Sequence, residues 1–265
     1  MMQKKIYFPF LLMSIVLFSS YILFQNDQKP TLYFIGDSTV KNGKGDGGGG
    51  LWGWADFMKP YFDSTKINLQ NNALGGTSSR TFQTQGLWNK VLDKLKAGDY
   101  VMIQFGHNDT SPINDSTRAR GTIKGVGEDT VVIENILTKK TEIVYTYGWY
   151  LTKFITDIQA KGATAIVCSP VPRNGWKNGK VNRNEGNSYG GWAKQVATKT
   201  NSYFIDLNAI IADQYDALGE ESIKAFFPKD NTHTGKDGAI LNAASVITGL
   251  KSLPNCSLNK YLLSK

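Results

Sequence analysis

The chain has 265 residues and a mass of 29.3 kDa, enough for one large domain or two small ones. At 41% apolar it fits neither a disordered chain nor a multi-span membrane protein, and two Cys are too few for a disulfide scaffold. Thirty Lys and Arg against 22 Asp and Glu give a net charge of +8, while the only histidines, His107 and His233, leave no basis for a His-rich metal site.

Lys4 and Lys5 precede an uncharged run of 19 residues, Ile6 to Phe24, which Gln25-Asn26-Asp27 ends. A basic start before an apolar run reads as an export signal. The run exceeds the usual signal core and reaches the length of a spanning helix. No small-x-small cleavage site follows, and no nearby Cys offers a lipid anchor. A signal peptide and an uncleaved membrane tether therefore both fit residues 1–30. Either places residues 31–265 outside the cytoplasm, in the periplasm or the extracellular space.

Short apolar runs then alternate with helical patterns. Thr31–Ile35 reads as a strand. The glycine run Gly45–Gly50 reads as a mobile loop, and it lacks the Gly-Lys-Ser/Thr ending of a phosphate-binding loop. Trp52–Tyr61 reads as a short helix and Lys66–Asn71 as a strand. Arg80–Lys96 reads as one helix, with Trp88, Val91, Leu92 and Leu95 on one face. Tyr100–Phe105 is the next strand. Residues 118–146 interrupt the alternation: Thr130–Ile133 and Glu142–Tyr145 flank a Lys139-Lys140 turn and predict a hairpin insertion.

Tyr147–Lys161 is predicted helical, with Tyr147, Leu151, Phe154, Ile155 and Ile158 inward. Ala163–Cys168 is a strand, Tyr189–Thr200 a helix, Tyr203–Leu207 a strand and Ala209–Leu218 a helix. Gly238–Leu250 forms the last helix, with Ile240, Ala243, Ala244 and Ile247 inward. This order predicts an α/β fold, a parallel sheet with helices on both faces forming a three-layer sandwich. Cys168 falls inside a buried strand, so two separate thiols are expected at Cys168 and Cys256 rather than a disulfide.

Polar segments follow the first three strands: Gly36-Asp37-Ser38-Thr39, Asn71-Asn72-Ala73-Leu74-Gly75-Gly76 and Gly106-His107-Asn108-Asp109. In a doubly wound sheet such segments meet outside the carboxyl ends of the strands. Asp230-Asn231-Thr232-His233 precedes the last helix as a fourth member. A serine hydroxyl needs a base to become a nucleophile. His233 fits that role, with Asp230 three residues earlier to orient its ring. The backbone N–H groups of Ser38 and Gly76 and the Asn108 amide are the natural donors for an oxyanion. No Gly-x-Ser-x-Gly elbow occurs. Catalysis is then expected to rise with pH as the His233 ring loses its proton.

These blocks resemble those of the SGNH (GDSL-type) hydrolases: Ser38, Gly76, Asn108 and His233, with Asp230 completing a triad. The closer resemblance is to the rhamnogalacturonan acetylesterases of that superfamily. It is carried by Thr39 after the Gly-Asp-Ser, by Asn71 to Arg80, by Phe105 to Asp109, by Ser169 to Asn174 and by Asp230 to Thr234. The resemblance implies a flavodoxin-like, five-stranded parallel sheet in the order 2-1-3-4-5. It implies no metal and no cofactor. It also implies removal of acetyl groups from an acidic pectic polysaccharide, rhamnogalacturonan I.

Trp52, Arg173 and Trp176 are the candidate sugar contacts, while Trp54, at the start of a helix, is assigned to the core. His107 reads as structural or orienting. The basic charge, densest at Arg118, Arg120 and Lys124, reads as solubility charge or as a match to an acidic polymer substrate, and no basic-aromatic stripe points to nucleic acid. A monomer is expected. Competing readings are a xylan or homogalacturonan acetylesterase, a lipid or thioester hydrolase, a non-catalytic carbohydrate-binding protein, and a glycosidase using Asp37 and Asp109.

Overall fold

The computed structural model describes residues 29–264. The export segment predicted for residues 1–30 falls almost wholly outside them. Among the described residues no helix is long and apolar enough to cross a membrane.

Five strands form the central parallel sheet: β1 (Thr31–Gly36), β2 (Asn68–Asn71), β3 (Tyr100–Gln104), β6 (Thr164–Cys168) and β9 (Tyr203–Ile205). Their spatial order is β2-β1-β3-β6-β9, the predicted 2-1-3-4-5 arrangement once the short hairpin strands are set aside. The central strands are buried on both faces, as parallel sheets covered by helices require. Leu32 and Phe34 of β1 pack with Met102, Ile166 and Trp54 in one core. Tyr33 and Ile35 point into the other, with Val101, Ile103, Phe154 and Trp88. Cys168 and Cys256 are separate buried thiols, and burial raises the pKa of both.

Two antiparallel pairs lie outside the sheet. β4 (Thr130–Glu134) pairs with β5 (Thr141–Tyr145), and β7 (Trp176–Lys177) with β8 (Lys180–Val181). The first pair is tied to the body by Glu142, whose two carboxylate oxygens accept from Arg80 at 2.7 Å each.

Three helical predictions change. Trp52–Tyr61 is not one helix but two 3-10 turns, Trp54–Phe57 and Lys59–Tyr61, because Pro60 has no N–H to continue the ladder. Arg80–Lys96 splits into Ser79–Thr84 and Leu87–Leu92 at Gly86, which has a φ of 70°. The predicted face of the last helix, Lys236–Ser252, is borne out in part: Ala243 and Ile247 are buried, but Ile240 is 38% exposed and Ala244 half-buried, while Ala239, Val246 and Leu250 are also buried. Gly249 faces the sheet. A Cβ there would lie 2.3 Å from Ile205 Cγ2, so only glycine lets the helix seat against β9.

Candidate active site

The site lies at the carboxyl end of the sheet, where the strand order turns back on itself at β1 and β3. Gly36 ends β1 in a close turn. A Cβ there would lie 2.5 Å from both the Gln104 carbonyl oxygen and Val40 Cγ2. Asp37 Oδ1 then accepts from the Thr39 N–H at 2.9 Å and the Thr39 hydroxyl at 2.8 Å, which fixes the loop carrying Ser38. Thr39 Oγ1 in turn accepts from Gln104 Nε2 at 2.6 Å, and Gln104 Oε1 accepts from the Trp54 indole N–H at 2.9 Å. A buried chain of hydrogen bonds thus anchors the Ser38 loop to β3. Gln104 sits in an apolar run, and nothing in its sequence context distinguished it.

Ser38 Oγ lies 2.8 Å from His233 Nε2. His233 Nδ1 lies 2.7 Å from Asp230 Oδ2, and Asp230 Oδ1 accepts the N–H groups of Thr232 and His233 at 2.7 and 2.8 Å. A carboxylate on Nδ1 fixes the proton there and leaves Nε2 as an acceptor for the Ser38 hydroxyl. Asp230 is held below the usual carboxylate range. Burial opposes its ionisation, but the His233 ring and the two backbone donors outweigh it. The His233 loop is stitched to the glycine-rich segment, because the Trp52 N–H donates to the Thr234 carbonyl at 2.9 Å.

Gly76 faces Ser38 across the cleft with a φ of 85°, and Gly75 approaches so closely that a Cβ on it would lie 3.5 Å from Ser38 Cβ. Among the described residues the N–H groups of Ser38 and Gly76 donate to no other group. Asn108 Nδ2 donates one hydrogen to the Thr77 carbonyl at 2.7 Å, which aims the amide and leaves its second hydrogen available. The loop after β3 is braced from below. Tyr147 Oη donates to the Phe105 carbonyl at 2.9 Å and Tyr189 Oη to the Asp109 carbonyl at 3.0 Å.

The open cleft has a volume of about 540 Å³ and is lined by Ser38, Gly76, His107, Asn108, Arg173 and His233, among others. All the predicted catalytic and oxyanion residues that line it therefore converge, with Asp230 behind His233. Of the three predicted sugar contacts, the structure brings only Arg173 to the cleft. Its guanidinium donates to Thr232 Oγ1 and to the His107 carbonyl. Trp52 packs on Phe57, with ring centroids 5.0 Å apart, and covers Gly47, so its indole is committed to the loop. Trp176 donates its indole N–H to Asn174 Oδ1 at 2.8 Å and rests on the core. Trp54 is buried, as assigned.

His107 is buried and its ring is pushed down to about 4, by burial first and then by the Arg173 and His233 charges, against the pull of Asp37. It is neutral and holds no proton-transfer link to Ser38. The Asp37 and Asp109 carboxylates are both buried beneath the cleft, and no carboxylate lines it, so the pair a glycosidase needs is not presented to a substrate. Arg118 and Arg120, of the basic group in the sequence, are not among the predicted site residues. Both line the cleft.

A serine, an imidazole and a carboxylate in series, beside free backbone donors and an aimed amide, are the equipment of a serine ester hydrolase. The chain belongs to the GDSL-like Lipase/Acylhydrolase family, which matches residues 34–239. It is 31% identical to a rhamnogalacturonan acetylesterase of Emericella nidulans, over 79% of this chain and 80% of that protein. It is also 31% identical to YesY of Bacillus subtilis, a probable rhamnogalacturonan acetylesterase, over 84% of this chain and 93% of that protein. The solved structure of the Bacillus subtilis protein YxiM has the same fold, with a TM-score of 0.68 at 24% identity. That match covers 84% of this chain and 56% of the other.

Proposed function

We propose that this chain is an exported serine esterase that removes O-acetyl groups from pectic polysaccharide, with rhamnogalacturonan I as its polymer. The observation that carries the chemistry is the 2.8 Å contact between Ser38 Oγ and His233 Nε2. The relatives named as rhamnogalacturonan acetylesterases, and an open polar cleft instead of an apolar acyl tunnel, support the substrate.

Ser38 Oγ attacks the acetyl carbonyl carbon as its proton passes to His233 Nε2, and Asp230 stabilises the imidazolium. The negative oxygen is held by Ser38 N–H, Gly76 N–H and Asn108 Nδ2, each donor contributing about 3–4 kcal/mol. His233 then gives the proton to the leaving sugar oxygen, and the C–O bond breaks to leave an acetylated Ser38. Water, deprotonated by His233, attacks that ester, the acyl–Oγ bond breaks as His233 returns the proton to Ser38 Oγ, and acetate leaves. Residues 1–30 serve as signal or membrane tether, and residues 31–265 form the hydrolase domain with a hairpin insertion at about 118–146.

An acetate-release panel on acetylated rhamnogalacturonan, homogalacturonan and xylan tests the reading. Fastest release from rhamnogalacturonan is expected, and Ser38→Ala is expected to lower the rate at least about a thousandfold. Preference for p-nitrophenyl palmitate over the acetate ester, or for xylan, overturns the substrate assignment. Glycan binding with no acetate release overturns the enzymatic one.

A further inference from the structure

The chain has five arginines, and they divide sharply. Arg80 is paired with Glu142, and Arg183 with Asp213 and Asp216. The other three, Arg118, Arg120 and Arg173, all line the cleft before Ser38. None of these three makes an ion pair among the described residues, and no lysine shares the lining.

The nearby carboxylates are otherwise engaged. Asp115 Oδ1 accepts the N–H groups of Thr117, Arg118 and Ala119. Asp230 serves His233, while Asp37 and Asp109 are buried beneath the floor. Arg120 is half-buried, donates Nη1 to the Gly76 carbonyl at 2.8 Å and Nε to Ser111 Oγ at 3.0 Å, and keeps Nη2 free. Among the described residues the Arg118 side chain has no partner, and it is exposed. Burial and the Arg118 charge beside it weaken Arg120's hold on its proton, against the pull of Asp37, Asp109 and Asp115, so the cleft keeps like charges side by side. Such a cost is recovered when an anion enters. Guanidinium forks, not ammonium groups, suit a planar carboxylate.

We propose that Arg118, Arg120 and Arg173 form a carboxylate site beside Ser38, which takes a uronate carboxylate of the acetylated chain. The proposal rests on the reading of this cleft as a polysaccharide O-acetylesterase site, and it names what makes the enzyme select an acidic polymer. It makes Arg118 and Arg120, from the segment leading into the hairpin, specificity-determining residues.

Calorimetric binding of trigalacturonate and of its carboxyl-reduced counterpart to the full chain tests this without turnover. The acidic sugar is expected to bind at least about tenfold tighter at low salt, an advantage that shrinks as salt screens it. Arg118→Gln is expected to remove about tenfold of that advantage. Because Arg118 is exposed and unbonded, this variant does not put folding at stake. Arg120→Gln should do the same, with Arg120→Lys between it and the parent. Equal affinities for the two sugars, or unaltered discrimination in both Gln variants, overturn the proposal. A carboxylate advantage without acetate release from any polymer keeps this site and removes the esterase reading. Acetate release without the advantage does the reverse.

Discussion

Asp109, directly after Asn108, is 1% exposed, and its carboxylate accepts from the N–H and hydroxyl of Ser79. Burial pushes its titration up to about 7, the Ser79 bonds resist, and the Asp37 charge adds to the rise. An unfolded aspartate releases its proton near 3.8. As pH climbs from there, the unfolded chain deprotonates while the folded chain still holds the proton. The folded state thus binds more protons, and stability falls with rising pH until Asp109 itself titrates. The penalty is about 1–2 kcal/mol at pH 5 and about 4 kcal/mol at pH 8. Asp109→Asn mimics the neutral form and abolishes the penalty. Its unfolding free energy relative to the parent, from urea titrations followed by tryptophan fluorescence, should therefore improve by about 2–3 kcal/mol between pH 5 and pH 8. Other titrations are common to both proteins and drop out of the comparison. A stability difference that stays constant across this range would refute the reasoning.

Asp230→Asn should lower kcat by about 10²- to 10⁴-fold on p-nitrophenyl acetate, because the wrong tautomer of His233 is then favoured; an unaltered kcat would remove Asp230 from the triad. Glu142→Ala leaves the fully buried Arg80 guanidinium without its anion and should cost about 3–5 kcal/mol, read as a lower thermal midpoint. Gly53→Ala places a Cβ 2.3 Å from the Val40 carbonyl carbon and oxygen, so backbone must move. A loss of about 3 kcal/mol is expected in urea unfolding.

The sheet was legible because its strands are short apolar runs separated by helical periods, and the strand-end segments carry Ser38, Gly76 and Asn108 where a parallel sheet must present them. His233 was legible from Asp230 three residues before it. The misread parts share one cause: periodicity reports that a face is apolar, not which neighbour it meets. The last helix shows this: Ala243 and Ile247 are buried as their spacing implies, but Gly249 seats against Ile205, and Val246 is buried while Ile240 is not. Trp52 and Trp176 read as sugar platforms because indoles serve both roles, and their contacts to Phe57 and Asn174, away from the Ser38 cleft lining, are visible only in the fold. Arg120 reads as solvated charge in the sequence because its partners, Gly76 and Ser111, are brought to it only by the fold.

Two ends of one sheet show where stability was given up for chemistry. At the amino end, Asp99 is fully buried, yet its Oδ1 accepts the Thr31 N–H at 2.7 Å and its Oδ2 the Lys96 N–H at 3.0 Å. That carboxylate has a backbone donor on each oxygen and ties β1 to β3. At the carboxyl end, Asp37 Oδ2 and His107 Nε2 are buried without a protein partner, and Asp109 is driven toward its neutral form. Each such group costs about 1–3 kcal/mol. All three flank the loops that present Ser38 and Asn108, so the deficit is local to the cleft and not a general looseness of the fold. A protein selected only for stability would replace these residues as readily as it keeps Asp99. Their presence beneath the oxyanion donors is explained by what they hold in place: Asp37 the Ser38 turn, through Thr39, and Asp109 the start of the Ser79–Thr84 helix, through Ser79.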